Sequence, residues 1–202
     1  MLTLFHAPQS RSSRLLWLIE ELGADCRIEY CDIRRKDGTG APDPKNPHPD
    51  GKVPALLHDG ALITESAAVA LYLSGLYPGA GLGFEPGSPR RGPLLTWICW
   101  STGEMEPAIL DKLTGAVDTN PMALARYDAA VTRILEALWE GPWLMGDQFT
   151  LADILIGGSL GWCRQYLPES PLLDDYIARL AARPAHHRAM LRDAAPGRAE
   201  AA

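Results

Sequence analysis

The chain has 202 residues, enough for one large domain or two compact ones. Hydrophobic residues make up 47% and charged residues 22%, proportions typical of a globular protein with a sizeable core. The net charge of -6 gives no general attraction to phosphate backbones or anionic lipids, so we expect neither a nucleic acid nor a membrane as partner. No apolar stretch approaches about 18 residues, and no signal-peptide pattern begins the sequence, so we expect a cytoplasmic protein.

The N-terminal part of the sequence alternates between strand and helix patterns. They predict a strand at 2–5, a helix that follows Ser10 to Arg14 and ends at Gly23, a strand at 26–33, a hairpin of 53–58 and 61–63, and a helix at 65–76. Asp59-Gly60 between two apolar runs is a strong hairpin signal. A loop at 34–52, rich in proline and glycine, is long enough to suggest part of a binding rim. Together these elements predict a small α/β domain.

The composition changes after this segment. Residues 78–93 contain four prolines and five glycines, which predicts a linker. Beyond it we find no convincing strand, and helix patterns or helix start signals occur at 94–116, 121–139, 150–166, 172–182 and 184–192. The sequence therefore predicts an α/β domain at 1–78, a linker at 79–93 and an all-helical domain at 94–202.

One helix start carries a complete capping signal. The hydroxyl of Thr150 can accept a hydrogen bond from the backbone amide of Asp153, and the carboxylate of Asp153 can accept one from the backbone amide of Thr150. Phe149 can pack on Ile154. The string G-D-Q-F-T-L-A-D-I-L-I at 146–156 also resembles the capped core helix of the glutathione transferase family.

The most specific part of this resemblance is G-K-V-P-A-L at 51–56, followed by T-E-S at 64–66. The resemblance covers nearly the whole chain and is to cytosolic glutathione transferases of the bacterial, serine-type, theta- or beta-like kind. It implies a thioredoxin-like N-terminal domain that binds glutathione and an all-helical C-terminal domain that forms the hydrophobic-substrate site.

The resemblance also implies roles for four residues. Pro54 would follow a cis peptide bond, and Val53 would offer its backbone amide and carbonyl to the cysteinyl part of glutathione. Ser66, at a helix N-terminus, suits the γ-glutamyl carboxylate, and Glu65 suits the γ-glutamyl ammonium group. Apart from the resemblance, Lys52 and Asn46 are candidates for steering the glycyl carboxylate, and Arg34, Arg35 or Lys36 could also do so.

The segment from Ser10 to Arg14 supplies the candidate catalytic hydroxyl. Glutathione attacks as a thiolate, and a hydroxyl donor at a helix N-terminus lowers the pKa of its thiol. The segment resembles serine-type transferases, whose catalytic serine lies just after the first strand and three residues before a Ser-Arg, and this selects Ser10. An alternative alignment on Pro8 selects Ser12, and all the serines could instead only cap the helix. His6, at the end of the first strand, could face the site or serve a structural role.

The helix after the linker carries L-L-T-W-I-C-W-S-T-G-E-M-E-P at 94–107. It resembles a helix that in bacterial relatives often has the sequence Y-A-E-G-S-L-M-P-P. Trp100, Glu104 and Met105 are therefore candidates for the wall of the hydrophobic-substrate site or for the subunit contact. Thr102 stands where those relatives have an acid.

The function implied is a glutathione transferase that conjugates the glutathione thiolate to small hydrophobic electrophiles and forms a homodimer, with glutathione as co-substrate. Cysteine and histidine spacing predicts no metal site. Two alternatives stay open: a glutathione-dependent isomerase or peroxidase of the same fold, and a non-enzymatic binding module. The S-S-C-x-W-R-like segment of maleylacetoacetate isomerases is missing, and the V-P, E-S and serine signals together argue against the module.

Overall fold

A computed structural model describes residues 1–194 as two compact units. One consists of Met1–Ala80 and the described chain from Arg183 on, and the other of Gly81–Ala182. Within residues 1–194, no helix has the length and apolar character needed to cross a membrane. In chain order the elements are β1 (Leu2–His6), α1 (Ser13–Leu22), β2 (Cys26–Tyr30), β3 (Ala55–His58), β4 (Ala61–Thr64), α2 (Ser66–Leu76), α3 (Arg91–Trp100), α4 (Glu106–Leu113), α5 (Pro121–Glu140), α6 (Leu151–Trp162), α7 (Pro171–Ala181) and α8 (Pro184–Asp193).

The first unit is built on a four-stranded mixed sheet in the order β2-β1-β3-β4. Strand β1 is parallel to β2 and antiparallel to β3, and β3 is antiparallel to β4. The β3–β4 turn has positive φ at both Asp59 (48°) and Gly60 (89°), as two-residue hairpin turns favour, and this confirms the predicted hairpin. The unit has the thioredoxin-like arrangement that the sequence predicts.

Strand β2 is shorter than its sequence pattern. It ends at Tyr30, which lies opposite His6, the last residue of its sheet neighbour β1. The amide of Cys31 still donates to the carbonyl of His6 at 2.9 Å, but β1 ends at His6, so the prediction of a strand through Ile33 is wrong beyond Tyr30.

Helix α1 is buried on most of its surface, and it ends as predicted. Gly23 adopts φ 60°, and the amide of Ala24 bonds to the carbonyl of Ile19 at 3.1 Å. Helix α8 packs against α1, which explains why so much of α1 is buried. The buried positions are Arg14, Leu15, Leu16, Trp17, Leu18, Ile19 and Leu22.

Ion pairs fasten α8 to α1. Arg183 bonds both carboxylate oxygens of Glu21, at 2.6 and 2.8 Å, while Arg188 and Arg192 bond Glu20. Helix α8 thus belongs to the first unit. The predicted division into 1–78, 79–93 and 94–202 stays a prediction, and residues 195–202 lie outside the described part of the chain.

The second unit is helical. Helix α3 continues through a π-helical turn at Ser101–Met105 into α4, so three consecutive pieces cover most of the predicted helix at 94–116. Between Gly81 and Ala182 the only strand-like pairs in the described structure are two isolated bridges, Trp143 with Gly146 and Met145 with Gln148. The predicted fold class, α/β plus all-α, is confirmed.

A buried polar network begins α6. The Oδ2 of Asp153 accepts the amide of Thr150 at 2.8 Å, and the threonine hydroxyl caps the first turn, so the capping box is confirmed. The Oδ1 of Asp153 accepts the amide of Leu144 at 2.9 Å and the hydroxyl of Tyr176 at 3.0 Å. Burial raises the pKa of Asp153 although these bonds oppose the shift.

Candidate functional site

Three chain segments meet at one edge of the sheet in the first unit. Pairing sets Phe5 of β1 opposite Ala55 of β3, and Ala55 opposite Thr64 of β4. The loop after β1, the residues before β3 and the residues after β4 therefore lie side by side. Ala7 and Val53 accordingly share one buried cluster with Phe5 and Ala55. The sheet thus brings together most of the predicted glutathione-binding residues.

The segment before β3 contains the predicted cis bond. The Val53-Pro54 peptide is cis, and both residues are buried, which confirms the expected geometry. Lys52 is exposed, with its Nζ 3.2 Å from Asp50, while its carbonyl accepts the side-chain amide of Asn46 at 2.9 Å. Its role with the glycyl carboxylate stays a prediction.

Glu65 has an unusual backbone conformation, with φ 68° and ψ 128°, immediately before the buried Ser66 that begins α2. A non-glycine residue in such a region costs about 1–3 kcal/mol, and such residues cluster at functional sites. Within residues 1–194 the other non-glycine residues with positive φ are Gln9 and Asp59. Asp59 belongs to the hairpin turn, whereas Gln9 and Glu65 both lie in the segments that meet at this sheet edge.

The two candidate serines differ in burial and in partners. Ser10 is half-buried, and its hydroxyl donates to the carbonyl of Ala7 at 2.6 Å. Ser12 is fully buried, and its Oγ accepts the amide of Ala7 at 3.2 Å and lies 2.7 Å from Nδ1 of His6. The two hydroxyl oxygens are 2.8 Å apart. Ser10 is the more accessible of the two, and the choice between them stays a prediction.

Two arginines add positive charge near this edge. Burial lowers the pKa of Arg11, and the carboxylate of Glu65 partly offsets the shift. Burial lowers the pKa of Arg14 to about 9, with a smaller contribution from Arg11. No role for Arg14 was predicted, although a charged side chain at the start of an otherwise apolar helix is a signal that the sequence contains.

Asp193 of α8 reaches the same loop. Its carboxylate accepts the amide of Gln9 at 3.1 Å and the hydroxyl of Ser13 at 2.5 Å, and lies 3.3 Å from Nε2 of His6. Burial would raise the pKa of Asp193, but the contact with His6 and the bonds from Ser13 and Gln9 outweigh it and lower the pKa. Asp193 was not predicted as part of the site, because no local pattern marks a contact between positions so far apart.

The candidates for the hydrophobic-substrate wall occupy different environments within the second unit. Trp100 is half-buried, with the guanidinium of Arg133 4.5 Å above its ring. Glu104 is exposed in the π-helical turn, whereas Met105 is fully buried in the core. Their role toward a substrate stays a prediction. Among residues 1–194 no group of three or more His, Cys, Asp or Glu side chains could hold a metal ion.

The sequence matches the N-terminal domain of glutathione S-transferases over residues 1–75 and the C-terminal domain over 106–196. It is 35% identical to the glutathione S-transferase-like protein LUC7 of Fusarium over 150 residues, which are 69% of this chain and 68% of that protein. It is 28% identical to glutathione S-transferase GstA of Escherichia coli O157:H7 over 162 residues, 79% of this chain and 81% of that protein.

Solved structures agree with the sequence matches. A sphingomonad glutathione S-transferase complexed with glutathione superimposes with a TM-score of 0.80 at 27% identity, covering 96% of this chain and all of that one. The same family is supported by the mixed sheet, by the cis Val53-Pro54 bond and by both domain matches. The chain belongs to the glutathione S-transferase family.

Proposed function

We propose that this transferase binds glutathione at the sheet edge of its first unit and transfers the glutathione thiolate to small hydrophobic electrophiles. The observation that carries the proposal is the convergence of Ser10, Val53-Pro54 and Glu65-Ser66 at that edge. The glutathione bound to the similar sphingomonad enzyme supports the same ligand here.

Each part of glutathione has a chemically matched group in this proposal. The γ-glutamyl carboxylate meets the N-terminus of α2 at Ser66, where backbone amides and the helix dipole favour an anion. Its ammonium group pairs with Glu65, and Arg11 and Arg14 add positive potential. The backbone of Val53 pairs with the cysteinyl residue as a short added strand, which leaves Lys52 for the glycyl carboxylate.

Ser10 is the proposed donor to the sulfur. Its hydroxyl can rotate from the carbonyl of Ala7 toward a thiolate, while its oxygen keeps the bond from the amide of Ser12 at 3.2 Å. Ser12 is less suited because its hydroxyl is fully buried between His6 and the amide of Ala7. Each unit by which such a bond lowers the thiol pKa corresponds to about 1.4 kcal/mol of thiolate stabilisation.

The second substrate and the assembly complete the proposal. In this proposal the helical unit provides the wall of the site for an apolar electrophile. Trp100 and Glu104 are accessible there, and the buried Met105 supports that wall from within. With an aryl halide, the sulfur–carbon bond forms and the halide leaves with the bonding electrons. We further propose that the enzyme is a cytoplasmic homodimer.

Replacing the hydroxyl tests the mechanism. Ser10→Ala should leave glutathione affinity within a few-fold while turnover falls, because one preorganised donor is commonly worth about 2–4 kcal/mol. The helix dipole and Arg11 can reduce the loss to about tenfold. The ultraviolet absorbance of bound thiolate should titrate at higher pH than in the wild type. If Ser12→Ala shifts this titration and Ser10→Ala does not, Ser12 is the donor, and if neither shifts it, no serine activates the sulfur.

The reaction class needs a separate measurement. Retention on immobilised glutathione together with turnover of a chloronitrobenzene is expected. A panel of halides, enals, epoxides and peroxides would then rank electrophiles. Retention on glutathione without turnover of any of them would contradict the transferase proposal and favour a binding module.

A further inference from the structure

Two buried polar side chains lie in the loop that precedes the cis Val53-Pro54 bond. Asn46 and His48 are both buried, although they belong to a stretch without helix or strand, at residues 46–52, which we call the 46–52 loop. Buried polar side chains almost always have hydrogen-bond partners, and here the partners are main-chain groups of the same loop. The two side chains therefore determine how this part of the chain is folded.

Both ends of the Asn46 side chain bond to the main chain. Its Nδ2 donates to the carbonyl of Lys52 at 2.9 Å, and its Oδ1 accepts the amide of His48 at 3.1 Å. A carbonyl can only accept and a backbone amide can only donate, so these two partners fix which end of the side chain faces which. The amide group considered for the glycyl carboxylate is thus engaged inside the 46–52 loop.

His48 closes the turn that leads to Lys52. Its Nδ1 accepts the amide of Asp50 at 3.0 Å, and its carbonyl accepts the amide of Gly51 at 2.9 Å. A side chain that accepts the amide two residues ahead is the arrangement of an Asx turn, made here by an imidazole. The prolines on either side of His48 have no amide proton, so backbone groups alone cannot bond this loop together. The two buried side chains supply the missing partners.

The bond from Asn46 also sets the direction of the Val53 amide. The carbonyl of Lys52 and the amide of Val53 belong to one planar peptide group, and in a trans peptide the C=O and N–H point in opposite directions. This peptide is trans, since the Val53-Pro54 bond is the one cis peptide within residues 1–194. With the carbonyl held by Asn46, the N–H of Val53 points away from Asn46.

The amide of Val53 is a donor that the protein itself does not use. In the described part of the chain it donates no hydrogen bond, although Val53 is buried. An unpaired backbone donor on a buried residue costs free energy, and a ligand carbonyl is a matched acceptor for it.

We infer that Asn46 and His48 are positioning residues that aim the amide of Val53 at the cysteinyl carbonyl of glutathione. The inference rests on the proposed glutathione site. Asn46 acts through the carbonyl of Lys52, and His48 acts one step further back, through the side chain of Asn46 and the turn before Lys52. Neither side chain contacts the ligand, so both affect glutathione binding and leave the activation of the sulfur unchanged.

Conservative substitutions separate the individual bonds. Asn46→Asp keeps the acceptor for the amide of His48 but replaces the donor toward Lys52 by an oxygen. Asn120→Asp, at the exposed N-cap of α5, is its matched control, because the cap uses only the side-chain oxygen. His48→Asn keeps an acceptor in the place of Nδ1, whereas His48→Leu removes it at similar size. His187→Leu, at an exposed position of α8, controls for the loss of an imidazole.

The readout is calorimetric titration of the full-length enzyme with two ligands, glutathione and γ-glutamylcysteinamide, which keeps the cysteinyl carbonyl and lacks glycine. Asn46→Asp should bind both ligands about tenfold more weakly, the upper end of what one hydrogen bond contributes. His48→Leu should lose about threefold for both. His48→Asn and the two controls should match the wild type. At saturating glutathione, kcat and the pH titration of thiolate absorbance should stay at wild-type values in every variant.

The outcomes distinguish the inference from the proposed function. If the wild type binds no glutathione, the proposed function fails. If the wild type binds and folded Asn46→Asp binds both ligands equally well, the inference is wrong and the proposed function stands. A loss for glutathione alone would assign Asn46 to the glycyl carboxylate and would also overturn the inference.

The His48 pair provides an independent decision, which also holds if Asn46→Asp does not fold. A loss in His48→Leu that His48→Asn restores supports the inference. Wild-type affinity in His48→Leu, or an equal loss in both His48 variants, overturns it.

Discussion

Glu65 combines a strained backbone with a functional side chain, and substitutions can separate these two properties. Glu65→Ala and Glu65→Gly both remove the carboxylate, so each should raise the glutathione KM by about tenfold, with a smaller effect on kcat. Only glycine relieves the positive φ of 68°. The glycine variant should therefore be the more stable by about 1 kcal/mol in urea unfolding, after its added chain entropy is counted.

Ser66→Ala is the companion variant for the γ-glutamyl site, and it should raise the glutathione KM as well. Wild-type KM values in both the Glu65 and the Ser66 variants would contradict the site. Equal stabilities of the alanine and glycine variants at Glu65 would contradict only the assignment of backbone strain.

At the scale of residues, features that carry a local signal could be predicted from the sequence. A proline in a family motif gave the cis bond at Pro54, and adjacent Asp59 and Gly60 gave the hairpin. The contact of Asp193 with Gln9 spans 184 positions, and neither residue has a neighbour that signals it. The arrangement of Ser12 and His6 depends on which way side chains turn within a loop, which no periodicity encodes.

The element scale is best illustrated by α6, whose start depends on one carboxylate. In Asp153→Asn a single amide oxygen remains where two oxygens accepted the amides of Thr150 and Leu144, so one buried donor loses its partner. We expect the free energy of unfolding to fall by about 2 kcal/mol at neutral pH. Asp175→Asn, at an exposed position of α7, should leave it unchanged.

The same variant should reveal that the stabilisation contributed by Asp153 depends on pH. Burial raises the pKa of folded Asp153 above its value in the unfolded chain, so between the two values the folded state binds more protons. The stability contributed by Asp153 therefore grows as pH falls through that window and is smallest above it. The gap between wild type and Asp153→Asn should widen on acidification, and a gap that narrows would contradict the assigned shift.

Element boundaries show where sequence patterns stop being sufficient. The alternation after Cys26 continues to Ile33, yet β2 ends at Tyr30 because pairing, not propensity, fixes the end of a strand. The helix pattern after the linker also gave no sign of the π-helical turn at Ser101–Met105. Such a turn inserts one residue into the hydrogen-bond ladder, and the resulting one-residue shift of the apolar pattern is too small to recognise in a single sequence.

At the scale of the whole molecule we predict a two-fold symmetric dimer. The first unit leaves Leu62 of β4 and Tyr72 and Leu76 of α2 partly exposed, and large apolar side chains of this kind are often buried at a subunit contact. Light scattering at micromolar concentration should give twice the 22.0 kDa of one chain. Tyr72→Glu should yield the single-chain mass, whereas Met122→Glu, at a more exposed position on α5, should not. A wild-type mass of one chain would contradict the dimer.

Helix α8 also has a consequence for biosynthesis. The strands of the first unit and α1 leave the ribosome early, but α8 follows the whole second unit in the chain. Until it has been translated, one side of α1 is uncovered, and Gln9 and Ser13 lack the carboxylate that accepts their hydrogen bonds. The loop that carries Ser10 can therefore take its final form only after residue 193 has emerged, so a nascent chain can build its sheet long before it can build its reactive loop.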